Sequence, residues 1–127
     1  MKKILFTVLM GLALNACSKE IDIRGTEYVL INTPKNGEIT LTFSNEDNRY
    51  FGKAVNRYFG TYEIDKNGKL TLSGAASTMM MGPEDLMQAE SAYFQNLAKV
   101  TGYQTSGDEL ILLLSNGEKL TFKKYSE

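Results

Sequence analysis

The fold is decided by the stretch GTYEIDKNGKLTL at residues 60–72, in which two short β-branched and aromatic runs flank an Asn67-Gly68 pair. Asn and Gly tolerate the positive φ that tight hairpin turns need, so the pair predicts a hairpin between strands at 60–65 and 69–73. The run at 65–68 also resembles the opening of a calcium loop, but the later Glu that would complete such a loop is absent. The segment is therefore predicted to be a turn.

Similar runs continue on both sides of this hairpin, and turn residues separate them at close intervals, as an antiparallel sheet or barrel requires. Two further pairs, Asn36-Gly37 and Asn116-Gly117, predict tight hairpins. The other predicted strands lie at 27–32, 38–43, 49–55, 75–81, 100–105, 109–114 and 119–123. Neighbouring strands are expected to be antiparallel.

One segment, residues 83–98, has helical spacing instead. Its apolar stripe consists of Leu86, Ala89 or Glu90, Tyr93 and Leu97, widened by Met87 and Phe94. Pro83 suits a first helical turn, and Glu84 and Asp85 favour the positive end of the helix dipole. The fold class is therefore predicted as α+β: a strongly bent antiparallel sheet or open barrel of about eight or nine short strands, with one helix packed against its concave side.

Residues 1–16 have the pattern of a secretory signal peptide, with Lys2 and Lys3 before a short apolar run. The run is too brief to span a bilayer, which takes about 20 helical residues. It ends in Leu14-Asn15-Ala16-Cys17, which resembles the lipobox of bacterial lipoproteins. The alternative is an ordinary cleaved signal followed by an incidental cysteine.

Cys17 is the only cysteine of the chain, so it has no partner for an internal disulfide. Acylation, typically including palmitate, explains such a lone thiol, and several acyl chains would hold the protein firmly to a membrane. Residue 18 is Ser, where an Asp would resemble the signal for retention in the inner membrane. We therefore expect the lipid anchor at Cys17 to place the protein on the periplasmic face of the outer membrane.

The remaining chain divides into a lipidated N-terminus and polar linker at 17–25 and a single domain at 26–124. The sequence has 14 basic and 15 acidic residues, and the basic ones cluster nowhere beyond Lys123-Lys124. A surface of this kind is not built to attract phosphate backbones. Nucleic acid is therefore not an expected partner.

The absence of histidine narrows the possible chemistry. It removes the Ser-His and Cys-His nucleophile arrangements and the ligands of most zinc sites. The carboxylate pairs Glu46-Asp47, Glu84-Asp85 and Asp108-Glu109 are candidates for acid and base work, but all three adjoin turns or a helix start, where acidic residues serve capping and solubility. The prediction is a protein with no catalytic residue, cofactor or metal.

Two further motifs have alternative interpretations. Met79-Met80-Met81, with Met87, has the thioethers that Cu(I) prefers, but the better account is methionine as adaptable core filler. The string at 56–60 contains Asn56, which can bond local backbone, and Gly60, which permits a bend. Asn56, Arg57 and Tyr58 form the candidate binding patch, because Arg and Tyr are common at binding hot spots.

Three groups of residues together resemble the META domain family, whose bacterial members are called HslJ-like. The first group is Leu41-Thr42-Phe43-Ser44, Gly52 and the run 56–62; the second is Leu70-Thr71-Leu72 with 77–81; the third is 84–87, Glu90, Phe94, Val100, Tyr103, Gly107, Leu110 and the strand 117–122. Many members of that family have two cysteines where this chain has Val55 and Gly82, and a Trp near the place of Tyr28. The resemblance implies a bent antiparallel sheet with one helix that folds here without a disulfide.

The resemblance also implies a non-enzymatic envelope lipoprotein that supports stress tolerance, because HslJ-like proteins are linked with heat shock and novobiocin resistance. The family fold is similar to that of a secretion-system pilotin, so an envelope protein partner at the outer membrane is expected. Two alternatives remain open: a carrier of a small apolar ligand, and an inhibitor of an extracellular hydrolase. An enclosed apolar cavity would favour the carrier, whereas a filled core with an exposed aromatic patch would favour protein binding.

Overall fold

A computed structural model describes residues 22–31 and 38–125 of the chain. The predicted signal peptide, Cys17 and the Asn36-Gly37 turn lie outside these residues. The described residues form nine strands and one helix. Their bounds are β1 Glu27–Leu30, β2 Thr40–Phe43, β3 Arg49–Lys53, β4 Arg57–Ile64, β5 Leu70–Leu72, β6 Ala76–Ser77, α1 Glu84–Leu97, β7 Val100–Ser106, β8 Glu109–Leu114 and β9 Lys119–Lys124.

The strands form one sheet in the order β5-β4-β3-β2-β1-β9-β8-β7, with β6 paired to β4. Every pair of named strands is antiparallel. The pairing of β1 with β9 joins the two halves of the chain, and the edge strands β5 and β7 lie close to each other. The sheet is thus bent into a nearly closed barrel, which confirms the predicted α+β fold.

Two hairpin turns lie where the Asn-Gly pairs predict them. Gly68 and Gly117 have φ values of 86° and 90°, a region that glycine adopts without strain. The Asp65 carboxylate accepts hydrogen bonds from the N–H groups of Asn67 and Lys69, which confirms that this run is a turn. The sequence pattern also locates α1 to within one residue at each end.

Other boundaries differ from the predictions. β4 begins at Arg57 rather than at residue 60, because the antiparallel ladder with β3 continues to the pair Lys53–Arg57. β6 covers only Ala76–Ser77 of the predicted strand at 75–81. The folded part also begins before residue 26: Ile23 is buried in the core, so part of the predicted linker belongs to the domain.

Aromatic rings fill the space between the helix and the sheet. Successive ring contacts, with centroids 5.0 to 6.5 Å apart, connect Phe122, Tyr93, Tyr58, Tyr50, Phe43 and Tyr62. The Tyr50 and Tyr62 hydroxyls donate to the carbonyls of Ser73 and Ser44. The polar ends of these rings are therefore satisfied inside the core.

Two glycines on the concave face make room for these rings. A Cβ at Gly52 would lie 2.0 Å from the Thr40 carbonyl oxygen, and a Cβ at Gly60 would lie 2.6 Å from the Tyr50 ring. Real Cβ contacts are never so short, so both positions exclude larger residues. The role of Gly60 is thus close packing against Tyr50, its cross-strand partner.

The helix α1 packs on the concave side through Tyr93 and Leu97, which are both buried, as predicted. Leu86, in the first turn of α1, is only half-buried. No helix within the described residues is both long and apolar enough to cross a membrane.

Candidate functional site

A buried polar contact ties the helix to the β3–β4 hairpin. The backbone N–H of Asn56 donates to Glu90 Oε2 at 2.6 Å, and Asn56 Nδ2 donates to Glu90 Oε1 at 3.0 Å. Both side chains are buried. Burying a carboxylate is costly unless its oxygens are hydrogen-bonded, so this contact fixes the geometry at this end of the barrel. Helical spacing placed Glu90 on the apolar stripe, but no local signal pointed to its partner.

The same Asn56 side chain also holds the segment that follows β6. Its Oδ1 accepts from Thr78 Oγ1 at 2.9 Å and from the Met80 N–H at 2.5 Å. Its Nδ2 donates to the Met80 carbonyl at 3.3 Å. One buried amide therefore fastens the segment on both sides of its backbone.

The segment so held is the methionine loop, residues 79–81. Its three residues are 92%, 60% and 89% exposed. The interpretation of these residues as core filler is wrong. The strand stops at Ser77, so no sheet alternation sends any of the three side chains inward. The result is a run of three apolar side chains held in water by a fixed backbone.

Val55 and Gly82 lie next to each other at the base of this loop. A Cβ at Gly82 would be 2.9 Å from Val55 Cγ1 and 3.9 Å from Met87 Sδ. These are the two positions where the family resemblance gives cysteines. In this chain Val55 and Gly82 are in apolar contact, at the place where the resemblance implies a disulfide in many family members.

The candidate binding patch does not form one exposed surface. Asn56 and Tyr58 are buried, and only Arg57 between them is exposed, because side chains alternate along the strand. The Tyr58 hydroxyl donates to the Thr40 carbonyl and lies 2.6 Å from the Tyr93 hydroxyl. Burial raises the pKa of both tyrosines well above the usual value, so both hydroxyls stay protonated.

The outward side of β3 and β4 has a different composition. Phe51 pairs directly with Phe59, and the two residues are 44% and 52% exposed. The next outward pair is Lys53 with Arg57, both exposed. We call these four residues the outer patch. The sequence held a signal for this patch: residues next to the buried Tyr50 and Tyr58 point to the opposite face of the sheet, because side chains alternate along a strand.

The opposite end of the hairpin is polar. Asp22 and Arg24 form an ion pair with 2.9 Å between Oδ1 and Nε, and they line an open cleft together with Asp47, Asn48 and Tyr62. The hydrogen bond from Arg24 lowers the pKa of Asp22 below its usual value. Asp22 is also the first residue described after the predicted lipid anchor.

None of the three carboxylate pairs forms a shared acid and base site. Asp47 accepts from the Arg49 N–H in its own turn, which lowers the pKa of Asp47. Asp85 bonds the Leu86 N–H at the start of the helix, and Asp108 lies in the β7–β8 turn. Across residues 22–31 and 38–125, no three His, Cys, Asp or Glu side chains are grouped closely enough to hold a metal ion.

A barrel of this topology with one helix on its concave side defines a class of small α+β domain, and the family comparison identifies which. The META domain family model matches residues 19–127. The chain therefore belongs to the META domain family. No curated protein matches the sequence.

Several solved structures are similar, and three of them are as follows. A protein from Burkholderia xenovorans, solved by NMR, is 26% identical, with a TM-score of 0.68 over 87% of this chain and 96% of its own. A second NMR structure is 23% identical, with a TM-score of 0.61 over 80% and 91% of the two chains. A DUF4847 family protein from Bacteroides vulgatus is 15% identical, with a TM-score of 0.55 over 70% and 60%. The last two are similar in fold alone.

Proposed function

We propose that this protein is a non-enzymatic, lipid-anchored envelope protein that binds a protein partner through its methionine loop. The observation that carries the proposal is that the methionine side chains are exposed while the backbone of their loop is held in place. Three apolar side chains are held in water by a buried asparagine, which a folding requirement alone does not explain. Methionine is over-used at protein-binding surfaces because its flexible thioether adapts to many partners.

The packed interior favours this function over that of a carrier. Tyr58 contacts both Tyr93 and Phe94, with ring centroids 5.6 and 5.2 Å apart, and Tyr93 continues the contact to Phe122. An apolar ligand would have to displace these rings from the space between the helix and the sheet. Inhibition of an extracellular hydrolase remains a variant of the same proposal, in which the hydrolase is the partner.

The lipid anchor rests on Cys17 and on the sequence before it. Anchored there, the domain would hang from a tether that reaches Asp22 at the polar end of the β3–β4 hairpin. The methionine loop lies at the other end, roughly 20 Å away for a hairpin whose strands rise about 3.3 Å per residue. This arrangement separates the loop from the tether along the hairpin and leaves its side chains accessible to other proteins of the envelope.

The anchor is tested by the substitution Cys17→Ala. We expect the variant to take up no palmitate analogue in metabolic labelling, and to leave the membrane fraction or stay uncleaved, because one cysteine would be both processing site and anchor. Equal labelling of the wild type and the variant would contradict the anchor. It would leave the partner-binding part of the proposal standing.

Partner binding is tested with the triple variant Met79→Ser, Met80→Ser, Met81→Ser. We expect a partner captured from membranes by the wild-type protein to be lost with this variant, and a deletion strain complemented by it to stay sensitive to novobiocin. Substitution of the exposed Lys66 and Lys69 by Ser, in the β4–β5 turn, is the matched control and should behave as the wild type. Full activity of the triple variant in both assays would exclude the loop as the binding site.

A further inference from the structure

We propose that the outer patch, made of Phe51, Lys53, Arg57 and Phe59, binds the surface of an anionic lipid bilayer. This inference rests on the proposed lipid anchor, because that anchor would bring the patch to a membrane. It concerns a different surface from the methionine loop and gives the domain a defined orientation on the bilayer.

The first observation is an arrangement that folding alone disfavours. Lys53 and Arg57 are direct cross-strand partners, and like charges in that position repel each other. The ion pairs found among the described residues join Asp22 with Arg24 and Asp47 with Arg49, so neither cation of the patch takes part in one. The two positive charges are therefore available to an anionic surface.

The second observation is the aromatic pair beside these cations. Phe51 and Phe59 are also direct cross-strand partners, and both are exposed large apolar residues. The strand register places Thr42 next to Phe51 and Ala76 next to Phe59, and both are small. The two rings therefore stand above their neighbours.

Apolar rings flanked by cations match the chemistry of a bilayer interface. Rings enter the boundary between headgroups and acyl chains, while Lys and Arg attract anionic headgroups. Two acidic residues, Glu27 and Glu63, are exposed at the margins of this face, one on β1 and one further along β4. The charge immediately around the rings is thus positive.

The tether length permits this contact. Cys17 and Asp22 are five positions apart, so the chain between them spans at most about 18 Å when extended. Asp22 shares its cleft with Asp47 and Asn48, which directly precede β3. Phe51 lies three residues beyond Asn48, about 10 Å further along the strand. A domain anchored at Cys17 can therefore lie with the outer patch against the bilayer.

The test uses the chain without its lipid, residues 18–127, so that only the protein surface can bind. This part contains every described strand, the helix and the core. The similar protein from Burkholderia xenovorans aligns over 96% of its own chain with 87% of this one. Vesicles of phosphatidylglycerol with phosphatidylcholine are compared with vesicles of phosphatidylcholine alone. We expect the protein to partition onto the anionic vesicles, and added salt to weaken that binding.

Two double variants then locate the surface. Lys53→Gln with Arg57→Gln should lower the partition coefficient by about fivefold for each cation removed, and Phe51→Ser with Phe59→Ser should lower it as well. Lys66→Gln with Lys69→Gln removes the same charge at the β4–β5 turn and should bind nearly as the wild type. Circular dichroism establishes that each variant is folded.

Equal partition coefficients for the outer-patch variants and the turn control would overturn the inference. Failure of the wild-type protein to bind anionic vesicles would overturn it too. Binding of the patch to an acidic protein without vesicle binding would also overturn it, replacing the bilayer with a protein partner. The test protein, residues 18–127, carries no lipid. Failure of this inference can therefore be distinguished from failure of the proposed anchor at Cys17.

Discussion

The inner and outer faces of the β3–β4 hairpin show what folding requires and what it leaves free. On the inner face, Tyr50 and Tyr58 are buried and their hydroxyls donate to backbone carbonyls. On the outer face, Phe51 and Phe59 are exposed beside two cations that repel each other. The inner residues are explained by the core they build, whereas the core does not explain the outer ones, which we propose to contact a bilayer.

The largest effect is expected inside the barrel, at the helix. Leu97→Ala should lower the free energy of unfolding by about 2 to 5 kcal/mol, because Leu97 is fully buried against the sheet. Gln95→Ala, on the exposed face of the same helix, is the control and should change it little. Chemical denaturation of both variants measures the difference. If the two variants were equally stable, the apolar stripe would not face the core.

A somewhat smaller effect is expected at Gly52, which packs closely against the Thr40 backbone and the Tyr58 hydroxyl. Gly52→Ala would place a Cβ 2.0 Å from the Thr40 carbonyl oxygen, and the resulting overpacking should lower the free energy of unfolding by about 3 kcal/mol. Gly74→Ala meets no atom within 4 Å and should leave stability nearly unchanged. Thermal melts of the pair test this, and a tolerated Gly52→Ala would show that the hairpin does not pack as described.

A smaller loss of stability is expected at Asn56, which connects the buried Glu90 to the exposed methionine loop. Asn56→Ala removes side-chain hydrogen bonds to both Glu90 and the methionine loop, which should lower the free energy of unfolding by about 1 to 3 kcal/mol. It should also make the loop sensitive to limited proteolysis under native conditions. Asn45→Ala, at an exposed position, is the control. Unchanged cleavage of the loop would show that Asn56 does not hold it.

The smallest effect is expected at the exposed loop itself. Replacing Met79, Met80 and Met81 by Ser should alter the free energy of unfolding by no more than about 0.5 kcal/mol, since the side chains contribute little to the core. Denaturant titration checks this value. A loss comparable to that of Leu97→Ala would place the methionines in the core after all.

The sequence predicted the parts of the fold that depend on local patterns. Two hairpins were located by Asn67-Gly68 and Asn116-Gly117, and α1 was located by its helical period. Turn geometry and helix amphipathicity both depend on residues close together in the sequence. The closure of β1 on β9 carries no such signal, since the two strands lie at opposite ends of the domain.

The candidate site was harder to predict for the same reason. Glu90 is buried because of Asn56, which is 34 positions away in the sequence. The prediction extended β6 to residue 81, although the strand ends at Ser77. Residues 79–81 were therefore interpreted as core residues, because methionine is a common filler of cores. Arg57 and Tyr58 were grouped by proximity, whereas strand alternation separates them.

The most direct test of the account is photo-crosslinking in living cells with a photoreactive phenylalanine at position 79, compared with the same residue at position 66. Position 79 lies on the methionine loop and position 66 on the exposed turn after β4. We expect a discrete crosslinked envelope protein from position 79 and none from position 66. Crosslinks of equal yield and pattern from both positions, or none from position 79, would contradict the methionine loop as the binding site.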